Sequence, residues 1–103
     1  MKTVEKLIEI IENNSKKEFG AIQTNKNGIR YKYDYYYLKT PFHWVVKMFE
    51  KLRNEKYGSF GVGNVYNFRV LEIDKYTSIY VDYSEFKGHP PRVMSLRRLI
   101  ILD

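Results

Sequence analysis

The sequence predicts an α+β domain in which two helices pack on one face of an antiparallel sheet, in the order α-β-β-α-β-β-(β). Three observations carry that expectation. Apolar residues recur with helical spacing in two segments, 4–11 and 42–52. After each helix come two runs rich in aromatic and β-branched residues, parted by a turn signal. With 103 residues, the chain has the length of one domain, residues 1–103, with one core.

The first helix rests on Val4, Leu7, Ile8 and Ile11, at i, i+3, i+4 and i+7, a stripe widened by Ile10. Thr3 is the expected N-cap and Asn13-Asn14-Ser15 the stop. A hairpin follows, with a strand from Phe19 to Thr24 weakened by Gly20. Asn25-Lys26-Asn27-Gly28 is the strongest turn signal in the chain, because Asn-Gly tolerates the positive φ of a tight turn. In the return strand, 29–38, alternation puts Ile29, Tyr31, Tyr33, Tyr35 and Tyr37 on one face. Arg30, Lys32, Asp34, Tyr36 and Leu38 take the other. Either face can meet the helices, since Tyr is intermediate in burial.

Thr40-Pro41 then reads as a cap and first turn for the second helix. Its expected buried stripe is Phe42, Val45, Val46, Phe49 and Leu52, joined by Met48. Trp44 falls at the rim beside Lys47 and Lys51, and Gly58 ends the helix. Residues 58–64 read as a glycine-rich connection. Val65 to Ile73 reads as a strand with a bulge near Val70–Leu71, Asp74-Lys75 as a turn, and Ser78 to Tyr83 as the returning strand. Residues 84–91 form a loop holding His89. The tail alternates as a strand through Met94, Leu96, Ile100 and Leu102, although Ser95 could cap a short helix instead; the β-branched residues near the end favour the strand. This element order is also a circular permutation of the ferredoxin-like arrangement.

Several chemistries lack their residues. Without Cys there is no disulfide framework, thiolate nucleophile or cysteine zinc site. His43 and His89 are too few and too far apart for a metal centre, so neither metal nor cofactor is expected. Ser59 and Ser84 lack nucleophile-elbow spacing. Glu72, Asp74, Asp82 and Glu85 read as a solvated hairpin face. Gly58, Gly61 and Gly63 follow a helix and lack the Lys-Ser/Thr of a phosphate loop. The expected protein is therefore not an enzyme. No apolar run approaches the roughly 20 residues of a membrane span. Met1-Lys2-Thr3-Val4-Glu5 lacks a secretory apolar segment, which points to the cytoplasm.

What remains is binding. Net charge is +6, and it is unevenly spread: +4 over residues 16–40, +2 over 41–57, +2 over 92–103, and −1 in each of the other two segments. A focused positive patch is what a phosphate backbone senses. Aromatics make up 17% of the chain, with 10 Tyr, several interleaved with cations. The expected function is non-enzymatic nucleic-acid binding of low sequence specificity. Arg30, Lys32, Lys47, Lys51 and Arg97 are the phosphate candidates, and Tyr36 and Trp44 the stacking candidates. Arg92 and Arg98 accompany Arg97, but adjacent strand residues face opposite ways. About four phosphates on a duplex would give a salt slope near −3.6. The alternative is a protein-interaction module, an inhibitor or adaptor of a host protein, anchored by Trp44 and the tyrosine strand. A homodimer fits either, since a small sheet offers an edge for pairing.

In its usage, heavy in Lys, Ile, Asn and Tyr without Cys, the chain resembles small orphan proteins of AT-rich phages or hyperthermophilic archaeal viruses. That resemblance implies nucleic-acid handling or interference with a host protein, in the host cytoplasm. Residues 92–99, Arg-Val-Met-Ser-Leu-Arg-Arg-Leu, after a Tyr-rich hairpin resemble the closing strand of WYL-type small barrels, which implies ligand sensing; the tripeptide naming that family is absent.

Overall fold

The computed structural model describes residues 2–55, 61–65, 68–82 and 93–102. Gly58, Ser59, Tyr83, Ser84, Glu85, His89 and Arg92, all named above, lie outside them.

Helix α1 spans Lys2–Asn14 and buries Val4, Leu7 and Ile11, the stripe that a 3.6-residue period dictates. It starts earlier than expected, so Thr3 sits inside the first turn rather than capping it. At the other end the Asn14 side-chain amide donates to the Ile10 carbonyl at 2.8 Å.

The strands are β1 (Lys16–Phe19), β2 (Gln23–Thr24), β3 (Arg30–Lys39), β4 (Gly61–Val65), β5 (Phe68–Asp74), β6 (Thr77–Asp82) and β7 (Val93–Ile101). They form one sheet in the order β1-β3-β7-β6-β5-β4, antiparallel throughout. β2 pairs the same edge of β3 as β1, beyond a break at residues 20–22. The β1-β3-β7-β6 part has the strand order of the permuted ferredoxin-like arrangement; β5 and β4 extend it.

The break has a local cause. Gly20 approaches β3 so closely that a Cβ there would collide with the Tyr33 carbonyl oxygen. Its N–H points instead at the Asp34 carboxylate, 3.4 Å away. The hairpin turn is as read: Gly28 has φ 80°, and the Asn25 side-chain oxygen accepts from the N–H groups of Asn27 and Ile29 at 2.9 and 3.0 Å.

Helix α2 spans His43–Asn54 and buries Val45, Val46, Phe49 and Leu52. Thr40 does not cap it. Thr40 lies at φ 47°, an uncommon backbone state for a β-branched residue, and its hydroxyl donates to the Lys39 carbonyl at 2.8 Å. Pro41 is then buried, and Phe42 takes the N-cap position in an extended conformation without a side-chain cap. Phe42 leaves the expected core stripe and is 73% exposed.

Both helices cover one face of the sheet. There Leu71, Ile79, Val81, Met94 and Leu96 join the helical stripes in one core, with Tyr36, Leu38 and Ile73 packed at its margin. Each fully buried Leu, Ile or Phe contributes about 1.5–3 kcal/mol relative to exposure. Three further expectations change. Residues 61–65 are strand β4 rather than connection, because backbone pairing to β5 needs no side chain. The bulge lies between Glu72 and Asp74, not at Val70–Leu71, so Val70 and Leu71 are buried on opposite faces. The tail is the strand β7, and it pairs with both β3 and β6. No helix among the described residues is long and apolar enough to cross a membrane.

Candidate nucleic-acid interface

The parity of β3 is set by β7. Tyr36 pairs with Leu96 and Leu38 with Met94, and both β7 residues are fully buried under the helices. Tyr31, Tyr33, Tyr35 and Tyr37 therefore stand on the open face, each half-buried. Tyr35 and Tyr37 are stacked, ring centroids 5.8 Å apart and planes 8° from parallel. Tyr31 and Tyr33 meet edge to face at 5.8 Å, and the Tyr31 hydroxyl donates to Gln23 at 3.2 Å.

The neighbouring strands complete that surface. Register places Ser95 and Arg97 of β7, Ser78 and Tyr80 of β6, and Phe68 of β5 on the open face. Tyr35, Tyr37, Phe68, Tyr80, Ser95 and Arg97 line an open groove of about 450 Å³. The Arg97 guanidinium carbon lies 4.7 Å from the Tyr33 ring centre and 5.3 Å from that of Tyr80, so the cation rests on aromatic faces. Phe68 packs edge-on against Tyr80 at 6.4 Å. Burial raises the pKa of Tyr80 above its ordinary value of 10.0, against an opposing pull from Arg97. Burial, then the nearby charge of Glu18, raises that of Tyr37.

The helix-side face of β3 is organised differently. Asp34 is only 2% exposed and takes Lys32 at 3.2 Å and Lys17 at 3.8 Å. The two ammonium groups flank the Phe19 ring at 4.9 and 4.7 Å, and Lys17 also lies 5.1 Å from the centre of the Tyr36 ring. Hydrogen bonding to Tyr36 is the main cause that raises the Lys17 pKa; burial opposes it. Further along, Arg98 pairs with Glu12 at 2.6 Å.

The seven candidate residues thus occupy three surfaces. Arg30, Lys32 and Tyr36 lie on the helix-side face of β3, where Lys32 is paired to Asp34 and Tyr36 packs against the core. Trp44, Lys47 and Lys51 lie exposed along α2, with Trp44 54% exposed. Arg97 stands on the open face, and among the described residues no carboxylate lies within ion-pair distance of it. Lys17, Asp34, Phe68, Tyr80 and Ser95 are not among the binding candidates read from the sequence. Their roles arise from strand pairings between residues far apart in the chain, for which a single strand carries no local signal.

By register the open face carries Lys16, Lys39 and Arg97 against Glu18, Glu72 and Asp82, so its formal charge cancels. Ring surface rather than charge distinguishes it. Among the described residues no group of three His, Cys, Asp or Glu converges as a metal site would need. Comparison with protein-family models, with curated proteins and with solved structures finds no match to this chain.

Proposed function

We propose that this chain is a non-enzymatic domain that binds single-stranded nucleic acid, with low sequence specificity, on the open face of its sheet. The supporting observation is the run of rings across β3, β6 and β5 around an Arg97 that lacks a described carboxylate partner. Unpaired bases stack on such platforms, each worth about 1–3 kcal/mol, and every base has a π face to offer. The net charge of +6 assists approach of a polyanion. Because the open face itself is balanced, few phosphates are engaged. With about one phosphate on Arg97, the salt slope on a single strand is near −0.7, well below the −3.6 expected of a four-phosphate duplex patch.

Fluorescence anisotropy with labelled single-stranded DNA and RNA tests this. The expected result is saturable binding that weakens only mildly with salt and outcompetes duplex. Absence of binding at low salt overturns it. Trp44, the one tryptophan, lies on α2 away from the open face, so its emission should stay unchanged during that titration.

A second reading has its own observation. Phe42 and Trp44, 73% and 54% exposed, stand at the start of α2 beside the strained Thr40. Exposed aromatics near Lys47 and Lys51 suit a protein partner, since aromatics anchor hot spots. A partner there would shift Trp44 emission, and Trp44→Ala would weaken it while leaving oligonucleotide binding intact.

A further inference from the structure

We infer that the groove over Ser95 is a discrete slot for a single nucleobase, with Arg97 receiving the phosphate attached to the same nucleoside. The inference rests on the nucleic-acid reading and names the unit that the open face holds.

The slot follows from register. Ser95 pairs with Tyr37 on one side and with Tyr80 on the other. Neighbouring strands lie about 4.8 Å apart, so the two tyrosine columns are roughly 9–10 Å apart across β7. A planar ring between two others needs about 7–8 Å, two carbon contact distances. Ser95 is short, and the space above it is not filled by its own side chain. Tyr35 and Phe68 also line the groove. Its volume of about 450 Å³ exceeds a lone base and suits a base with its sugar.

The fold already lays one planar group against these rings, diagonally across the register, since Arg97 pairs with Tyr35 and Ser78. Two residues along the same strand and face, the Arg97 guanidinium, itself planar, occupies the space between Tyr33 and Tyr80. Over Ser95, itself only 6% exposed at the floor, the groove between Tyr37 and Tyr80 holds no such planar group, so one from outside can enter it. Stacked as it is, the guanidinium keeps its N–H edge available for two parallel bonds to a phosphate. The separation of Ser95 and Arg97, about 6.8 Å for two strand residues, matches a base joined to its phosphate through one sugar. A bare phosphate would forgo the slot, and a bare nucleoside would forgo Arg97.

Amide NMR titrations of the full chain with adenosine 5′-monophosphate, adenosine and inorganic phosphate test the slot. The expected result is a saturable shift of the Tyr37, Tyr80, Ser95 and Arg97 signals by the monophosphate, about ten-fold tighter than with either fragment. Ser95→Leu fills the slot and should abolish those shifts and weaken oligonucleotide binding about ten-fold or more, as loss of one stacked base implies. Arg97→Gln leaves the slot open and should reduce monophosphate affinity to that of adenosine; it decides the matter should Ser95→Leu not fold. Oligonucleotide binding that is intact in wild type and untouched by these substitutions overturns the slot and leaves the wider reading standing. Monophosphate binding without oligonucleotide binding keeps the slot and overturns the wider reading. Failure of both ligands removes both.

Discussion

The two faces of the sheet around β3 both carry cations and rings, in opposite arrangements. Toward the helices, three cations are engaged by two acids: Lys17 and Lys32 share Asp34, and Arg98 of the adjoining strand takes Glu12. Toward the open side, Arg97 rests on Tyr33 and Tyr80. The difference follows from what each face must do. A carboxylate buried beneath a helix layer must be paired, because an unpaired buried charge is costly. A cation lying on rings keeps its hydrogen-bonding edge free. A cation count alone would rank the helix-side face as the binding surface, whereas Lys17, Lys32 and Arg98 there are already engaged by carboxylates.

Substitutions can break this contrast, and the largest effect is expected in the shared core. Phe49→Ala should cost about 3–5 kcal/mol in denaturant unfolding, because Phe49 is fully buried between the layers. Asp34→Ala comes next. Removing the acid that holds two ammonium groups and the Gly20 N–H should cost about 1.5–3 kcal/mol of stability, with oligonucleotide affinity nearly unchanged below the new melting temperature. Tyr35→Ala inverts that outcome: it should weaken oligonucleotide binding by about 1–3 kcal/mol in anisotropy, exceeding its effect on stability. Equal losses in both assays for Asp34→Ala and Tyr35→Ala would erase the distinction between faces.

Alkaline pH sharpens the same contrast more gently. Tyr80 and Tyr37 have raised pKa values in the folded state, so the unfolded chain loses those protons first. Their contribution to stability is complete below pH 10.0, the ordinary tyrosine value, and declines as pH rises through the folded-state values. Thermal melts across that range should show a steeper decline for wild type than for a Tyr37→Phe, Tyr80→Phe double variant. The smallest effect is expected at Trp44→Ala, within about 0.5 kcal/mol of wild-type stability, since the side chain is exposed and outside the core.

Local features were legible in the chain where one segment decided them. The stripe Val4, Leu7, Ile11 specifies α1 by itself, and Asn25 to Gly28 specifies its turn by side-chain capping and a positive φ. Features decided between segments were not. Strand β4 hides in Gly61-Val62-Gly63-Asn64-Val65 because its order comes from backbone bonds to β5. Phe42 carries an apolar signature, yet the turn at Thr40 and the burial of Pro41 direct it outward. The parity of the tyrosine strand depends on Leu96 and Met94, some 60 residues away in the chain. Of the candidate binding residues, Arg97 was visible as a cation, but its surroundings came from pairings with β3 and β6.

The interruption at residues 20–22 carries one more consequence. A tyrosine-rich sheet with a long, regular border is a template for fibrillar stacking, in which another chain extends the ladder indefinitely. Here that border is split into runs of four and two residues, and lysines stand along the longer one. A substitution that closed the break beside Gly20 would restore a continuous ladder along that border, and the expected first symptom is thioflavin-positive deposits rather than a lower melting point.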